Sequence, residues 1–183
     1  MVLHNVDMNA YMGQYMVKTL VTCGDVNHAY QISTKLSGQN AFTWTLIISA
    51  YTENQEGQLA LEAYQSMIGD GVQPTQYTFV CLFKACGTLG SLEEGRKIHD
   101  HARRNGFCSD VHVGSSIVSM YSKCGDIVEA ENVFTLLPRR DVVTWNVILS
   151  AYVKQNQVYK ALKLYRQMQE EGVSPDERTL VTV

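Results

Sequence analysis

The sequence predicts an all-α chain, an α-solenoid of stacked antiparallel helix pairs, and three observations carry that prediction. The first is internal repetition. Shifted by 101 residues, the chain overlays itself without a gap, and 23 of the 82 overlapping positions are identical, against roughly one in sixteen expected from ordinary composition. Cys23-Gly24-Asp25 falls on Cys124-Gly125-Asp126, Thr43-Trp44 on Thr144-Trp145, and Ser49-Ala50-Tyr51 on Ser150-Ala151-Tyr152. Repetition outranks other signals because a unit that recurs must bury its apolar face on its neighbours. The second observation is a set of turn signals that subdivides the period, since repeat architectures use units of about 20–50 residues. The third is apolar spacing of helical type within those units.

The turn signals give units 10–40, 41–75, 76–110, 111–141 and 142–176, of 31, 35, 35, 31 and 35 residues, with 1–9 and 177–183 as the tail and head of further units. In order, unit 10–40 carries the Cys23-Gly24-Asp25 turn between its two helices. In unit 41–75, Trp44, Ile47, Ile48 and Tyr51 stand at i, i+3, i+4 and i+7 and make one apolar stripe. After a turn at 53–57, Leu59, Ala60, Ala63, Tyr64, Met67 and Ile68 make a second stripe. Gly71 ends that helix by taking the left-handed cap, and Pro74 prevents its resumption. Unit 76–110 closes at Gly106-Phe107, and unit 111–141 at Leu137-Pro138-Arg139-Arg140-Asp141. Unit 142–176 repeats the pattern of 41–75 with Trp145, Ile148, Leu149 and Tyr152, then Ala161, Leu162, Tyr165 and Met168, and closes at Gly172-Val173-Ser174-Pro175. Ala60 and Ala161 are small where two helices approach. These aromatic and methionine positions are read as core.

Composition narrows the function classes. The apolar fraction of 45% and charged fraction of 18% are globular values. No apolar run approaches the roughly 20 residues that span a bilayer, and the first residues lack the features of a targeting segment. A soluble intracellular array, with no membrane and no small-molecule substrate among its partners, is the expectation. Cys23, Cys81, Cys86, Cys108 and Cys124 form no C-x-x-C pair. Cys81 and Cys86, five apart on one helix, do not share a face for a metal. His99 and His101 point different ways on a helix. The H-x-E and P-C-x-x-C motifs of zinc deaminases do not occur. No metal, no cofactor and no enzymatic activity are expected.

The residues then reach a family. Asp141-Val142-Val143-Thr144-Trp145-Asn146 through Gly172-Val173-Ser174-Pro175-Asp176 closely resembles a pentatricopeptide repeat of the 35-residue P type. Unit 76–110, with Leu92-Glu93-Glu94-Gly95-Arg96-Lys97-Ile98-His99, resembles the family's long variant. Unit 111–141, with Met120-Tyr121-Ser122-Lys123-Cys124-Gly125-Asp126, resembles its short variant. The order short, P, long, short, P is that of the plant PLS subclass, with 1–9 and 177–183 as parts of truncated long-type repeats. The resemblance implies a right-handed solenoid of tetratricopeptide-like helical pairs, an organellar home in mitochondrion or chloroplast, and an array without the DYW deaminase domain.

It also implies single-stranded RNA as the partner, read at about one base per repeat. In the family, the fifth and last residues of each unit read the base. Carried onto this chain, they pair Asn146 with Asp176, Ser115 with Asp141, Thr45 with Thr75 and Gln14 with Asn40. Asn with Asp resembles the uracil pair, and Ser with Asp the guanine pair. Thr75 departs from the usual Asp or Asn, Gln14 with Asn40 matches no familiar pair, and Val80 before Asp110 offers no hydrogen bond to a base. The second residues, Phe42, Val143, Tyr11 and His112, resemble the base-stacking position, and Lys123 and Lys154 the phosphate-facing lysine. The residues allow a plainer role as well: Asp141 and Asp176 precede helix starts and can cap them, and the two lysines can be solvated surface charges.

A net charge of −3 lacks the basic footprint of non-specific nucleic-acid binding, and five units on their own imply weak affinity. Three function classes stay open at this point. One is an RNA-binding module serving organellar processing or cytidine-to-uridine editing, with other editing or processing proteins as partners. A second is a protein-interaction helical-repeat scaffold. The third is a truncated array without independent activity.

Overall fold

A computed structural model of the chain describes residues 8–35 and 40–182, with side chains described from Met12 onward. Residues 1–7 of the expected N-terminal tail and Val183 lie outside the described residues. Among those described there are eleven α-helices and no strand. They are α1 (Met8–Thr22), α2 (Val26–Lys35), α3 (Ala41–Glu53), α4 (Gly57–Gly69), α5 (Gln76–Leu89) and α6 (Leu92–Arg104). After a 3-10 turn at Phe107–Ser109 come α7 (Val111–Lys123), α8 (Ile127–Leu136), α9 (Val142–Lys154), α10 (Val158–Glu170) and the short α11 (Glu177–Thr182). The all-α class is therefore observed. No described helix is long and apolar enough to cross a membrane. The chain resolves into two compact units, Met1–Ala85 and Cys86–Val183.

In the first unit, α1 packs on α2, and α3 lies against both and against α4. The stripe of α3 is the reason: Trp44, Ile47 and Ile48 are wholly buried and Tyr51 nearly so. Tyr30 stands edge-on to both Trp44 and Tyr51, with ring centroids 6.2 Å apart in each case, the offset that aromatic quadrupoles prefer. The Tyr51 hydroxyl donates to Asn27 Oδ1 at 2.9 Å, which offsets the cost of burying it. That burial pushes the Tyr51 pKa up to about 12.

In the second unit, α7 packs on α8 and α9, and α9 also meets α8, α10 and α11. Trp145 is wholly buried and stands edge-on to Phe134 at 4.7 Å. Arg140 covers the pair, its guanidinium 5.1 Å from the Phe134 ring and 5.6 Å from that of Trp145, and reaches Glu171 at 3.5 Å. The second stripes are narrower than the sequence suggests. Ile68 and Leu162 are 40% and 41% exposed, because each directly follows or precedes the buried row by one residue and so turns about 100° away from it. The helix after α10 is the six-residue α11, which covers α9.

The turns repeat as faithfully as the cores. Gly71 and Gly172 take positive φ of 72° and 75°. In each, the next residue closes a wide turn, Val72 N–H to Met67 carbonyl at 3.1 Å and Val173 N–H to Met168 carbonyl at 3.0 Å, the pattern of a glycine-ended helix. Between α3 and α4, and between α9 and α10, the left-handed position is held by Gln55 and Asn156 instead, at φ 64° and 58°.

Candidate functional site

The richest site forms in the second unit, where α9 begins. Asp141 is extended at the N-cap, and its Oδ1 accepts from the Thr144 backbone N–H at 2.8 Å and the Thr144 hydroxyl at 2.6 Å. One turn further, Asn146 is 4% exposed. Its Nδ2 donates to Asp176 Oδ1 at 2.9 Å and Oδ2 at 3.1 Å. Its Oδ1 accepts from the Thr179 hydroxyl at 2.6 Å. Asp176 in turn caps α11, accepting the Thr179 N–H at 2.8 Å. The backbone N–H of Thr179, then its hydroxyl and the Asn146 amide, hold the Asp176 carboxyl below the ordinary 3.8. Asp176 is therefore an anion at neutral pH.

This network borders a cavity of about 370 Å³ whose lining includes Asn146, Asp176, Val143, Lys123, Lys154 and Arg178. Both lysines end their helices, α7 and α9, and both are exposed. Their charge is favourable at helix C-termini. The structure thus brings five of the expected residues to one hollow: an amide, a carboxylate, an apolar platform and two ammonium groups. Val143 is 55% exposed, as a stacking surface must be.

The neighbouring expected pair is arranged differently. Ser115 is half-buried, and no hydrogen bond joins it to Asp141, which serves Thr144 instead. A serine hydroxyl sits closer to its backbone than an asparagine amide and does not span the gap. His112 is exposed, and its backbone N–H donates to Asp110 Oδ1 at 3.0 Å.

The first unit holds the same register with shorter side chains. The Thr45 hydroxyl meets that of Thr78 at 2.6 Å, and Thr75 meets Thr78 at 3.1 Å. Asn40 caps α3, its Oδ1 accepting from the Thr43 N–H at 3.0 Å and the Thr43 hydroxyl at 3.1 Å. No hydrogen bond joins Gln14 to Asn40; Gln14 instead lines a recess of about 200 Å³ with Tyr15, Lys18 and Phe42. Phe42 is 63% exposed. The Tyr11 side chain lies outside the described residues.

Sequence reasoning missed four residues. Thr78 and Thr179 are wholly buried against Thr45 and Asn146, and their identity under the 101-residue shift was the signal available. Tyr77, exposed at 66%, and Arg178 are the second residues of their units, so the register that selected Phe42 and Val143 also selects them. Elsewhere, His99 Nδ1 lies 3.0 Å from the Tyr121 hydroxyl, and burial lowers its pKa, as suits a packed, neutral imidazole. The five cysteines are free. Among the described residues, no group of three or more His, Cys, Asp or Glu side chains could hold a metal ion.

Comparison with known proteins gives matches over most of the chain. The PPR repeat family profile matches residues 39–88 and 140–183, and a PPR repeat profile matches 115–142. A chloroplastic pentatricopeptide repeat-containing protein of Arabidopsis thaliana is 36% identical over 177 residues, 96% of this chain and 34% of the relative. A second chloroplastic one from the same plant is 32% identical over 180 residues, 98% of this chain and 29% of the relative. The chain thus spans about a third of the length of these relatives. Among solved structures, maize PPR10 superposes with a TM-score of 0.78 at 17% identity, covering 95% of this chain and 26% of that one. PPR10 in complex with an 18-nt psaJ RNA element gives 0.75 at 18% identity, covering 94% and 27%. The PPR domain of Arabidopsis thaliana protein-only RNase P 1 in complex with tRNA gives 0.74 at 12%, covering 94% and 95%. At these identities the structural likeness is one of fold.

Proposed function

The chain belongs to the pentatricopeptide repeat family, and from that premise we propose that it binds single-stranded RNA, with bases read at the fifth and last residues of each unit. The observation that carries the reading is the hollow around Asn146, Asp176, Lys123 and Lys154. An amide next to a fixed carboxylate offers a base edge both a donor and an acceptor, and two ammonium groups beside it suit the phosphates of the same strand. Val143 and Arg178, which line the same hollow, supply faces on which a base can lie. In this reading Asn146 with Asp176 takes uracil and Ser115 with Asp141 takes guanine. Thr45 with Thr75 and Gln14 with Asn40 contribute less selective contacts, with Phe42 and Tyr11 as stacking platforms.

The repeat partition proposed from sequence is supported by the capping residues. Asn40, Asp110, Asp141 and Asp176 close one unit and accept N–H bonds from the first turn of the next helix. The PLS subclass rests on the 31- and 35-residue alternation. Service in organellar RNA processing or editing, alongside other proteins, is supported by relatives whose names carry the word chloroplastic. The test is fluorescence anisotropy of the chain with labelled single-stranded RNA. Asn146→Ser should move the preference at one position from uracil toward guanine, by about 1 kcal/mol, one net hydrogen bond. An unchanged base preference in that variant, or no RNA binding by the parent chain, rejects the proposal.

A further inference from the structure

Resting on the RNA reading above, we infer that Thr179 is a positioning residue that sets base choice at the Asn146–Asp176 pair by locking the amide in one orientation. A hydroxyl that is wholly buried needs partners, and Thr179 has several. It faces Asn146 Oδ1 at 2.6 Å and Asp176 Oδ1 at 2.7 Å, and its oxygen accepts the Asp176 backbone N–H at 3.1 Å. The two ends of an asparagine amide are opposite in polarity, and which end faces which neighbour follows from the neighbours. Ionised Asp176 only accepts, so the NH₂ end faces it. The carbonyl end then faces Thr179, whose one hydroxyl proton lies between Asn146 Oδ1 at 2.6 Å and Asp176 Oδ1 at 2.7 Å and is shared by them. Both ends are anchored, and the amide plane is fixed relative to the cavity.

The consequence lies in what the amide has left. With one N–H shared between the two Asp176 oxygens, the amide keeps one N–H and one Oδ1 lone pair beyond these bonds, in a fixed order. On its Watson–Crick edge uracil offers an acceptor at O4 beside a donor at N3, whereas cytosine offers a donor at N4 beside an acceptor at N3. An amide free to swivel serves either edge; an amide anchored at both ends serves one. Thr179 therefore acts on uracil against cytosine, two bases of the same size that stack alike. The equivalent Thr78 is wholly buried at the same place beneath Thr45 and Thr75. There it meets hydroxyls with rotatable hydrogens instead of an amide with two distinct ends.

The experiment compares the full chain with Thr179→Val, which keeps the shape and loses the hydroxyl, and with Thr179→Ser, which restores the hydroxyl. Thr179→Ala is measured in parallel, so that a folded variant lacking the hydroxyl is at hand if valine disturbs α11; thermal melts monitor folding in each. The probes are two short single-stranded RNAs of equal length, an oligouridylate and an oligocytidylate, and the readout is the ratio of their affinities. The expected result is a ratio reduced about fivefold in the valine and alanine variants, the scale of one net hydrogen bond, and retained in the serine variant. A parent chain that favours uridylate while both hydroxyl-free variants keep its ratio overturns the inference alone. So does a loss of affinity for both probes in equal measure, which marks a merely structural hydroxyl. A parent chain with equal affinity for both probes overturns the uracil reading itself, and the inference falls with it.

Discussion

Residues 40–80 and 141–181 are the same scaffold carrying different chemistry. Trp44 and Trp145 are both wholly buried, Thr78 and Thr179 are both wholly buried against Thr45 and Asn146, and Gly71 and Gly172 both end the second helix. At the positions proposed to read bases the two copies part: Thr45 stands where Asn146 does, and Thr75 where Asp176 does. The helix ends differ as well, with Thr22 and Glu53 in place of Lys123 and Lys154. Residues 1–85 carry 3 Lys or Arg against 6 Asp or Glu, whereas 86–183 carry 12 of each. The acidity of the chain thus belongs to its first half, and the lysines that suit phosphate belong to the second. What the difference teaches is that the packing residues do not dictate the recognition residues. The one set builds the helix pair, and the other varies on top of it.

The largest expected effect tests the shared part. Trp44→Ala and Trp145→Ala should each destabilise by about 3–5 kcal/mol in denaturant titrations. Trp145 should lie at the upper end, because Arg140 also loses a partner there, whereas each tryptophan has an edge-on ring, Tyr30 or Phe134. Equal costs in the two copies would show that the Arg140 contact adds nothing. Next in size is a transplant. Thr45→Asn with Thr75→Asp gives the first copy the second copy's readers over a threonine, Thr78, that is already in place. Uracil preference at that repeat should rise by about 1–2 kcal/mol, one or two net hydrogen bonds, in affinity measurements with paired RNA probes. No gain would mean that the scaffold beneath Thr45 is not equivalent to that beneath Asn146.

A smaller effect lies in the turns. Gln55→Gly should stabilise by roughly 1 kcal/mol by removing a side chain from a left-handed backbone, and Asn156→Gly by less, since asparagine tolerates that region; thermal melts of the two variants decide. Exchanging the helix-end residues, Lys123→Thr with Lys154→Glu, should flatten the salt dependence of RNA affinity by about 0.7 of a logarithmic unit for each lysine lost. Thr22→Lys with Glu53→Lys should steepen it. The subtlest contrast is with pH. A carboxyl held below its ordinary value stabilises the fold above that value and ceases to do so as pH falls through the lowered one. Acidification below the ordinary 3.8 should therefore release the Asn146 amide from Asp176. Side-chain amide signals of Asn146 should report it, while Thr45, Thr75 and Thr78 have nothing to titrate.

Much of this was legible in the sequence, for a physical reason. A repeated unit states its packing twice, so Trp44 and Trp145, or Gly71 and Gly172, corroborate each other, and the apolar period of 3.6 places them on a buried face. The reader residues were legible only through family resemblance and register. What stayed hidden was their mutual bonding. Asn146 reaches Asp176 and Ser115 does not reach Asp141, a matter of side-chain length and backbone spacing that no pattern encodes. Thr179 was hidden because a threonine near a helix start reads as a capping partner, and its second bond runs to a residue 33 positions away. Ile68 and Leu162 were over-assigned to the core because an apolar side chain beside a buried row looks the same in sequence as one within it.

Asp176 opens one helix while its carboxylate accepts from Asn146 of the helix before it, and Thr179, beyond it, bonds the same amide. The unit that can be moved between arrays is therefore not the unit counted by turns. A graft cut directly after residue 176 carries Asn146 and Asp176, the proposed uracil reader, and takes the hydroxyl that meets them from whatever sequence follows. Shifting both splice points three residues downstream, to run from after Thr144 through Thr179, keeps amide, carboxylate and hydroxyl on a single exchangeable cassette. On the proposed reading, exchange of such a block changes the letter read at one position and leaves its neighbour's spelling intact.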